Sequence, residues 1–185
     1  MTKLSTPLHR RLTLAFAAML GLCSFAPESR AEYDEYKVKA AFLLNFAKLV
    51  TWPGDTPAGG KLVIGLLGDT EGTAVLTRAL EGASLGGTPV EVRHLTSIDG
   101  SADCRIVFLA RDGVVTPESL LAATRGGRVL TVSEMPGFAS QGGMINFFPD
   151  GRKLRFEINP GAAEREGLKI SSRLLALARV VEEGR

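Results

Sequence analysis

Cysteine and histidine, the residues of disulfides and zinc-type metal sites, are scarce in this sequence. The chain contains two cysteines and two histidines, and Cys23 and His9 lie within its first 31 residues. Beyond residue 31 there is one cysteine, Cys104, and one histidine, His94. A disulfide needs two cysteines, and a zinc-type centre needs three or four ligands. The sequence therefore predicts neither an internal disulfide nor a metal site beyond residue 31.

The remaining cysteine and histidine are both predicted to have structural rather than catalytic environments. Cys104 opens the apolar run of residues 104–110, so we expect it to be buried and to pack as a small hydrophobic side chain. His94 lies at the end of an alternating segment, between Arg93 and Leu95, where we expect a surface side chain. A Cys–His catalytic pair has only these two candidates.

A glycine-rich stretch at residues 65–72 lies where a predicted strand turns into a helix, which is where phosphate-binding loops occur. It lacks both the G-x-G-x-x-G spacing and a Gly-Lys-Ser/Thr ending, so its glycines are interpreted as turn residues. No G-x-S-x-G elbow is present, and acidic residues are scattered along the chain. The sequence predicts no bound cofactor, and an enzymatic function is disfavoured.

The first 31 residues have the order of regions that is typical of a secretory signal peptide. Lys3, Arg10 and Arg11 precede an apolar run at residues 12–26, and small residues, Ser29 and Ala31, stand at −3 and −1 of a cut after Ala31. We expect cleavage there, periplasmic localisation, and a single domain over residues 32–185. Cys23 is not expected to carry a lipid anchor, because bulky Leu22 precedes it.

Removal of this segment changes the charge of the protein. The full chain has 22 basic and 20 acidic side chains, and residues 1–31 contain four of the basic ones and one of the acidic ones. The exported protein therefore has a net charge near −1, and it has no basic patch interleaved with aromatic residues. Nucleic acid is therefore a poor candidate for a partner.

The segment from residue 36 to residue 50 is predicted to be a helix that is apolar around most of its circumference. Between Ala40 and Val50 only Asn45 and Lys48 interrupt it, and Trp52 and Pro53 end it. Its apolar stretch is well short of the roughly 20 residues that a membrane span requires. Two interpretations stay open: a core helix whose start is exposed at Lys37 and Lys39, or a helix with one face reserved for a partner.

Apolar strands alternate with short helices through the middle of the chain. Strands are predicted at residues 61–68, 89–95, 104–110 and 128–133, with helices capped near Asp69 or Thr70 and at Thr116. A hairpin at residues 144–158 and a helix over residues 161–183 follow. The predicted fold class is α/β, with a mostly parallel sheet sandwiched by helices and a C-terminal β-hairpin and helix.

The connection at residues 134–148 carries three glycines together with Phe138 and Met144. Loops at strand ends line the ligand crevices of α/β sheets. Phe138 is therefore a candidate for an exposed apolar contact with a partner, or it packs back into the core. In a second hypothesis, a small-molecule-binding protein, Trp52, Phe138 and Met144 form the walls of a crevice at the strand ends.

Three segments together resemble the YfiR-like family of periplasmic proteins. They are "KAAFLLNFAKLVTWP", "VLTVSEMPGFASQGGMINFF" and "LRFEINPGAAEREGLKISSRLLALARVV", and the resemblance covers nearly all of the chain beyond residue 31. It implies an α/β sandwich without catalytic residues. It also implies a negative regulator that binds the periplasmic sensory domain of an inner-membrane diguanylate cyclase, and so lowers cyclic-di-GMP signalling and biofilm formation.

The resemblance further implies an outer-membrane lipoprotein that sequesters the repressor, and a homodimer is a further expected association. Well-known members carry disulfides that make repression sensitive to redox state, whereas this chain has Cys104 alone beyond residue 31. A switch based on an internal disulfide is therefore not expected here. The small-molecule-binding protein with its crevice of Trp52, Phe138 and Met144 is the alternative function.

Overall fold

The computed structural model of the protein describes residues 28–52, 60–68, 70–111 and 115–184. Residues Tyr33–Arg185 form one compact unit. Within the described ranges, no helix combines the length and the apolar character that crossing a membrane would require.

Helices and strands alternate along most of the chain. The helices are α1 (Glu28–Leu49), α2 (Glu71–Leu80), α3 (Pro117–Thr124), α4 (Pro160–Arg165) and α5 (Ser172–Leu175), with a short 3-10 helix at Ser101–Asp103. The strands are β1 (Val50–Thr51), β2 (Leu62–Leu67), β3 (Ser84–Leu85), β4 (Thr88–Leu95), β5 (Ile106–Leu109), β6 (Leu130–Ser133), β7 (Ile145–Asp150), β8 (Lys153–Ile158), β9 (Lys169–Ile170) and β10 (Arg179–Val180).

Eight strands form one sheet in the order β10-β8-β7-β6-β5-β2-β4-β3, and β1 pairs with β9 in a separate two-stranded sheet. In the large sheet the pairs β2–β4, β2–β5, β5–β6, β6–β7 and β8–β10 are parallel. Only β7–β8 and the edge pair β3–β4 are antiparallel. The predicted fold class, a mostly parallel sheet sandwiched by helices, is confirmed.

The first face of the sheet carries the larger core. Ile64, Phe108 and Val132 point to this face and pack against α1, α2, α4 and α5. The α1 residues that meet them recur at helical spacing, at Tyr36, Ala40, Leu43, Phe46 and Ala47. Phe46 lies 5.7 Å from Phe147 and 5.2 Å from Phe156, measured between ring centroids, so aromatic contacts join α1 to the β7–β8 hairpin. The hydrophobic character of α1 is thus explained mainly by burial in the core.

The second face is built from the alternate residues of the same strands, because successive side chains of a strand point to opposite faces. Val63, Val107 and Leu109 pack there with Leu120 of α3 and with Phe138. Cys104 belongs to this smaller cluster and is 4% exposed, which confirms its predicted burial. The same packing leaves little space, since a Cβ placed on Gly65 would lie 2.8 Å from the Cys104 sulfur.

Local sequence signals account for most helix starts. Thr70 caps α2 by accepting a hydrogen bond from the Thr73 amide, and Thr116 caps α3 in the same way through the Ser119 amide. Both caps agree with the predicted ones. The start of α1 differs, because this helix begins at Glu28 rather than at residue 36.

The end of the chain also differs from prediction, since residues 161–183 do not form one helix. Gly167 takes a left-handed conformation with φ 72°, which ends α4, and Leu168 turns inward and is fully buried. Ser171 then caps α5 through the Leu174 amide. Two short strands replace the rest of the predicted helix: β9, between α4 and α5, pairs with β1, and β10, after α5, pairs with β8. Long-range pairing overrides the helical periodicity of this segment.

Candidate functional site

The predicted contact residue Phe138 is fully buried on the second face. A Cβ placed on Gly143 would lie 2.2 Å from the Phe138 ring, so the ring fills the space that this glycine leaves. The prediction of an exposed apolar anchor at Phe138 is therefore wrong, and the core alternative describes the residue. The physical reason is that residues 135–142 turn back over the second face and place the ring beneath them.

Met144 and Trp52 do not join Phe138 in a crevice. Met144 is 3% exposed and packs in the cluster of the first face, across the sheet from Phe138. Trp52 is half-buried, and its indole N–H donates to the Arg128 carbonyl oxygen at 2.8 Å, near the point where β6 begins. The crevice walled by Trp52, Phe138 and Met144 is therefore not formed, because the sheet lies between Phe138 and the other two side chains, which pack in or against the first-face cluster.

Instead, a buried polar network lies at the carboxyl end of β6, and Glu134 is its centre. The Tyr36 hydroxyl donates to one carboxylate oxygen of Glu134 at 2.8 Å, and the backbone N–H of Arg111 donates to the same oxygen at 3.2 Å. The Lys39 ammonium bonds the other oxygen. Lys39 is 2% exposed and Glu134 is 6% exposed. Such a pair is strongly coupled, because removing one partner leaves the other charge buried and uncompensated.

This network lies where open α/β sheets usually bind ligands. The chain leaves β2 through α2 on the first face, whereas it leaves neighbouring β5 through α3 on the second face. Connections that diverge in this way open a crevice at the carboxyl ends of the strands. Here the Tyr36 ring enters from α1 and lies against Gly72, where a Cβ would come within 2.1 Å of the ring. Side chains of the protein itself thus occupy this position.

Sequence reasoning placed Lys39 on the exposed start of the helix, and this prediction was wrong. Lys39 is four residues before the buried Leu43 and three after the buried Tyr36, so it lies on the core side of α1. A second signal was Glu134, an acidic residue that directly follows the fully buried strand β6. A buried strand end followed by a carboxylate, with a lysine on a buried helical face, indicates an internal ion pair.

The other sequence candidates have simple environments. Burial raises the pKa of the Cys104 thiol, so the reactive thiolate is disfavoured. His94 is exposed, as predicted, and its Nε2 lies 2.8 Å from the Thr77 hydroxyl oxygen. Among the described residues, no group of three or more His, Cys, Asp and Glu side chains is arranged to hold a metal ion.

A cleft lies at the sheet edge formed by β8 and β10, and it is the candidate for contact with another molecule. Its volume is about 370 Å³. The cleft is lined by Phe148, Asp150, Arg155 and Phe156 of the β7–β8 hairpin and by residues 176–179. The Arg179 guanidinium lies 4.2 Å from the centroid of the Phe148 ring. Cationic side chains next to exposed apolar ones can bind an anion that carries an apolar group.

Apolar side chains beside this cleft are exposed to solvent. Leu177, in its wall, is 63% exposed, and Val180 of β10 is 54% exposed. Among the described residues, the other large hydrophobic side chain that is exposed is Val38 of α1, at 45%. Two of these three residues are thus within four positions of each other at one edge of the sheet, which is typical of a contact surface.

Solved structures with a similar fold support the α/β architecture. One is described as the ABC domain in complex with L-Trp from Streptococcus pneumonia, with TM-score 0.55 and 13% identity, and it is matched over 77% of this chain and 60% of its own. Another is a conserved domain protein from Vibrio cholerae O1 biovar El Tor, with TM-score 0.56 and 13% identity, matched over 78% of this chain and 59% of its own. The chain thus spans about 60% of the length of either structure. At this identity the likeness concerns the fold alone.

A comparison with protein families gives a match over almost the whole folded unit. The model of a family described as YfiR/HmsC-like matches residues 36–179. The matched region begins at Tyr36, which belongs to the buried network, and ends at Arg179, which belongs to the edge cleft.

Proposed function

The chain belongs to the YfiR/HmsC-like family, and from this premise we propose that it is a periplasmic regulator of diguanylate cyclase signalling. In this proposal it binds the periplasmic sensory domain of a membrane-bound diguanylate cyclase and represses the enzyme. Lower cyclic-di-GMP and less biofilm are the consequences in the cell. The observation that carries the proposal is the family match over residues 36–179, which includes both the buried network and the edge cleft.

The geometry is consistent with a protein that acts by binding another protein. Tyr36 and Lys39 fill the crevice at the carboxyl ends of the central strands. The exposed apolar side chains Leu177 and Val180 lie beside the cleft at the β8–β10 edge of the sheet. Exposed apolar side chains next to cationic ones are common at protein interfaces. The alternative of a small-molecule-binding protein lacks its support, because Trp52, Phe138 and Met144 do not share a crevice.

Export and further partners belong to the same proposal. The protein is exported through a signal peptide of residues 1–31, most of which lies outside the described residues, and works in the periplasm. An outer-membrane lipoprotein sequesters the protein and thereby releases the cyclase. The protein also forms a homodimer in this proposal. Cys104 is buried and Cys23 is removed with the signal peptide, so relief of repression does not use an internal disulfide.

The test combines binding with a cellular readout. The exported form, residues 32–185, is immobilised and presented with the purified periplasmic domain of each membrane-bound diguanylate cyclase in the same genome, and binding is followed by biolayer interferometry. We expect one of these domains to bind, and we expect deletion of the gene to raise intracellular cyclic-di-GMP. Re-expression should restore the lower level. If no domain binds and deletion leaves cyclic-di-GMP unchanged, the proposal is overturned.

A further inference from the structure

Strand β8 is only partly covered on its outer side. The bridging pairs between β10 and β8 involve Glu157 and Ile158, the last two residues of β8. The Val181 amide donates to the Ile158 carbonyl oxygen at 2.9 Å, so the backbone groups of Ile158 point outward. Because these directions repeat every second residue in a strand, the N–H and C=O of Leu154 also point outward. Within the described part of the chain, no strand pairs with Leu154 on that side.

The exposed part of this edge lies beside the cleft described above. Arg155 and Phe156 line the cleft from β8, and Leu177 and Ala178 line it from the segment that leads into β10. A strand added along Leu154 would therefore run past this cleft and the exposed Leu177 side chain in its wall. Main-chain hydrogen bonds to an open edge provide affinity in such an arrangement, and the cleft selects a side chain.

The charge of this edge is cationic. Four exposed basic side chains lie on the β7–β8 turn, on β8 and on β10: Arg152, Lys153, Arg155 and Arg179. Two acidic side chains oppose them, and both are already paired, Asp150 with Arg155 at 3.5 Å and Glu157 with Arg179. The uncompensated charge is therefore positive, and an acidic ligand is favoured.

We propose that residues 153–156 of β8 are a docking edge for an extended acidic segment of a partner protein. The segment pairs with Leu154 as an additional strand, places one apolar side chain in the cleft, and sets its carboxylates against Arg155 and its neighbours. A second copy of this chain would bring the same cations together, and a membrane surface would not satisfy the outward backbone groups. This inference rests on the proposed function, since it describes how the regulator holds its partner.

Two substitutions test the edge directly. Leu154→Pro removes an outward-pointing N–H and therefore breaks no hydrogen bond of the β7–β8 ladder, while it prevents a strand from pairing there. Arg155→Glu reverses the charge of the edge. Arg93→Glu is the matched control: Arg93 on β4 is 42% exposed and bonds Glu91 at 2.7 Å, whereas Arg155 is 51% exposed and bonds Asp150 at 3.5 Å. Thermal melts establish that all three variants are folded.

Binding is measured with two protein or peptide probes and, separately, with vesicles of phosphatidylglycerol and phosphatidylcholine. The first is the cyclase periplasmic domain identified above, and the second is a fluorescein-labelled peptide of alternating glutamate and valine, with a lysine–valine peptide for comparison. We expect Leu154→Pro and Arg155→Glu to weaken binding of both the cyclase domain and the acidic peptide by about tenfold or more. Arg93→Glu should leave both affinities unchanged. The lysine–valine peptide should not bind.

The outcomes separate this inference from the proposed function. If the cyclase domain binds the wild type and all variants equally, the docking edge is overturned and the regulatory function stands. If the acidic peptide binds through the edge while no cyclase domain binds, the docking edge stands and the proposed partner does not. If no acidic peptide binds, the inference of a protein strand is overturned. It is also overturned if the two edge variants bind the domain and the peptide normally and lose binding only to vesicles of phosphatidylglycerol and phosphatidylcholine.

Discussion

Glu134 joins three separate parts of the chain at the carboxyl edge of the sheet. Its carboxylate accepts hydrogen bonds from Tyr36 on α1 and from the Arg111 backbone after β5, and it forms an ion pair with Lys39. Lys39 has a second acidic neighbour, Glu35, at 2.7 Å, and Glu35 is 45% exposed. The two members of the buried pair therefore differ in how many oppositely charged neighbours they have. Glu134 relies on Lys39 for a full positive charge, while Lys39 retains Glu35 when Glu134 is neutralised.

This asymmetry gives the first prediction. Lys39→Met should lower the free energy of unfolding by about 3–5 kcal/mol, because Glu134 is left buried without a countercharge. Glu134→Gln should cost less, and the double substitution should recover part of the loss from Lys39→Met. Urea unfolding of residues 32–185 measures all three. Strict additivity of the two single effects would contradict a coupled buried pair.

Cys104 supplies a second prediction at the level of a single side chain. Burial raises the pKa of its thiol, and its nearest polar partner is the Gly100 carbonyl oxygen at 3.4 Å. Native protein should react with a thiol reagent far more slowly than urea-unfolded protein, and Cys104→Ser should cost about 1–3 kcal/mol. Reaction at equal rates in the two states would disprove the burial. If the proposed function holds, the variant should lower cyclic-di-GMP as the wild type does at permissive temperature.

Residue types alone allowed some of these environments to be predicted and not others. Cys104 and His94 were assigned correctly because a run of apolar neighbours, or its end, is visible in the sequence. For Phe138 the sequence is compatible with both core and surface, and its burial requires the absence of a side chain at Gly143, five residues away, where a Cβ would meet the ring. Lys39 was assigned to the surface because a charged residue is seldom buried, and its partner is 95 residues distant.

At the level of elements, the turn at residues 135–143 is held by local backbone contacts and by one aromatic ring. The Gly143 amide donates to the Phe138 carbonyl oxygen at 2.9 Å, and the Asn159 side-chain amide donates to the Ala139 carbonyl oxygen at 2.9 Å. Phe138 meanwhile packs with Leu120 of α3 and with β5. The loop is thus a structural cover for the second face, and Phe138 is part of that cover.

A third prediction follows for this loop. Phe138→Ala should lower the free energy of unfolding by roughly 3–5 kcal/mol through the cavity it leaves. Gly143→Ala should also destabilise, because its Cβ would meet the Phe138 ring, and it should cost less when Phe138 is already alanine. Gly161→Ala in α4 is the control, since its Cβ would make only ordinary contacts, the nearest at 3.5 Å. Thermal melts report each change, and a stable Phe138→Ala variant that fails to bind the cyclase would contradict this structural role.

Elements with strong local signals were predicted well, whereas elements made by pairing were not. The strands β2 and β5 are continuous apolar runs, and Thr70 and Thr116 are visible as helix caps. In contrast, β1, β3, β9 and β10 have only two residues each. A two-residue strand has no periodicity of its own, so its existence depends on a neighbour brought by the fold. This is why residues 161–183 were mistaken for one helix.

At the scale of the whole molecule, the two faces of the sheet differ in what covers them, and the carboxyl ends of its strands differ from its β8–β10 edge. The first face holds α1 and the aromatic core, and the second is covered by α3 and residues 135–143. The carboxyl edge is occupied internally by Tyr36 and Lys39, and exposed apolar and cationic groups gather at the β8–β10 edge. Under the proposed function, binding to a partner at that edge would leave the core unchanged, so capture and release of the protein would need no unfolding.

Maturation of the chain gives the last prediction, because α1 runs through the expected cleavage site. The helix extends over Glu28–Leu49, whereas the cut is expected after Ala31, and the first described anchors of α1 are Tyr36 and Lys39. Cleavage would therefore remove one turn of helix and keep both anchors. We expect the periplasmic protein to begin at Glu32, as measured by intact mass.

The same anchors predict where shortening becomes harmful. A form that begins at residue 34 should unfold at nearly the same urea concentration as residues 32–185. A form that begins at residue 40 lacks Tyr36 and Lys39, so Glu134 loses its countercharge and Gly72 loses the ring that covers it, and we expect a loss of about 3–5 kcal/mol. In that shortened form, Glu134→Gln should restore part of the stability, since it removes the uncompensated charge. Equal stability of the forms beginning at residues 34 and 40 would show that α1 is held by its apolar face alone.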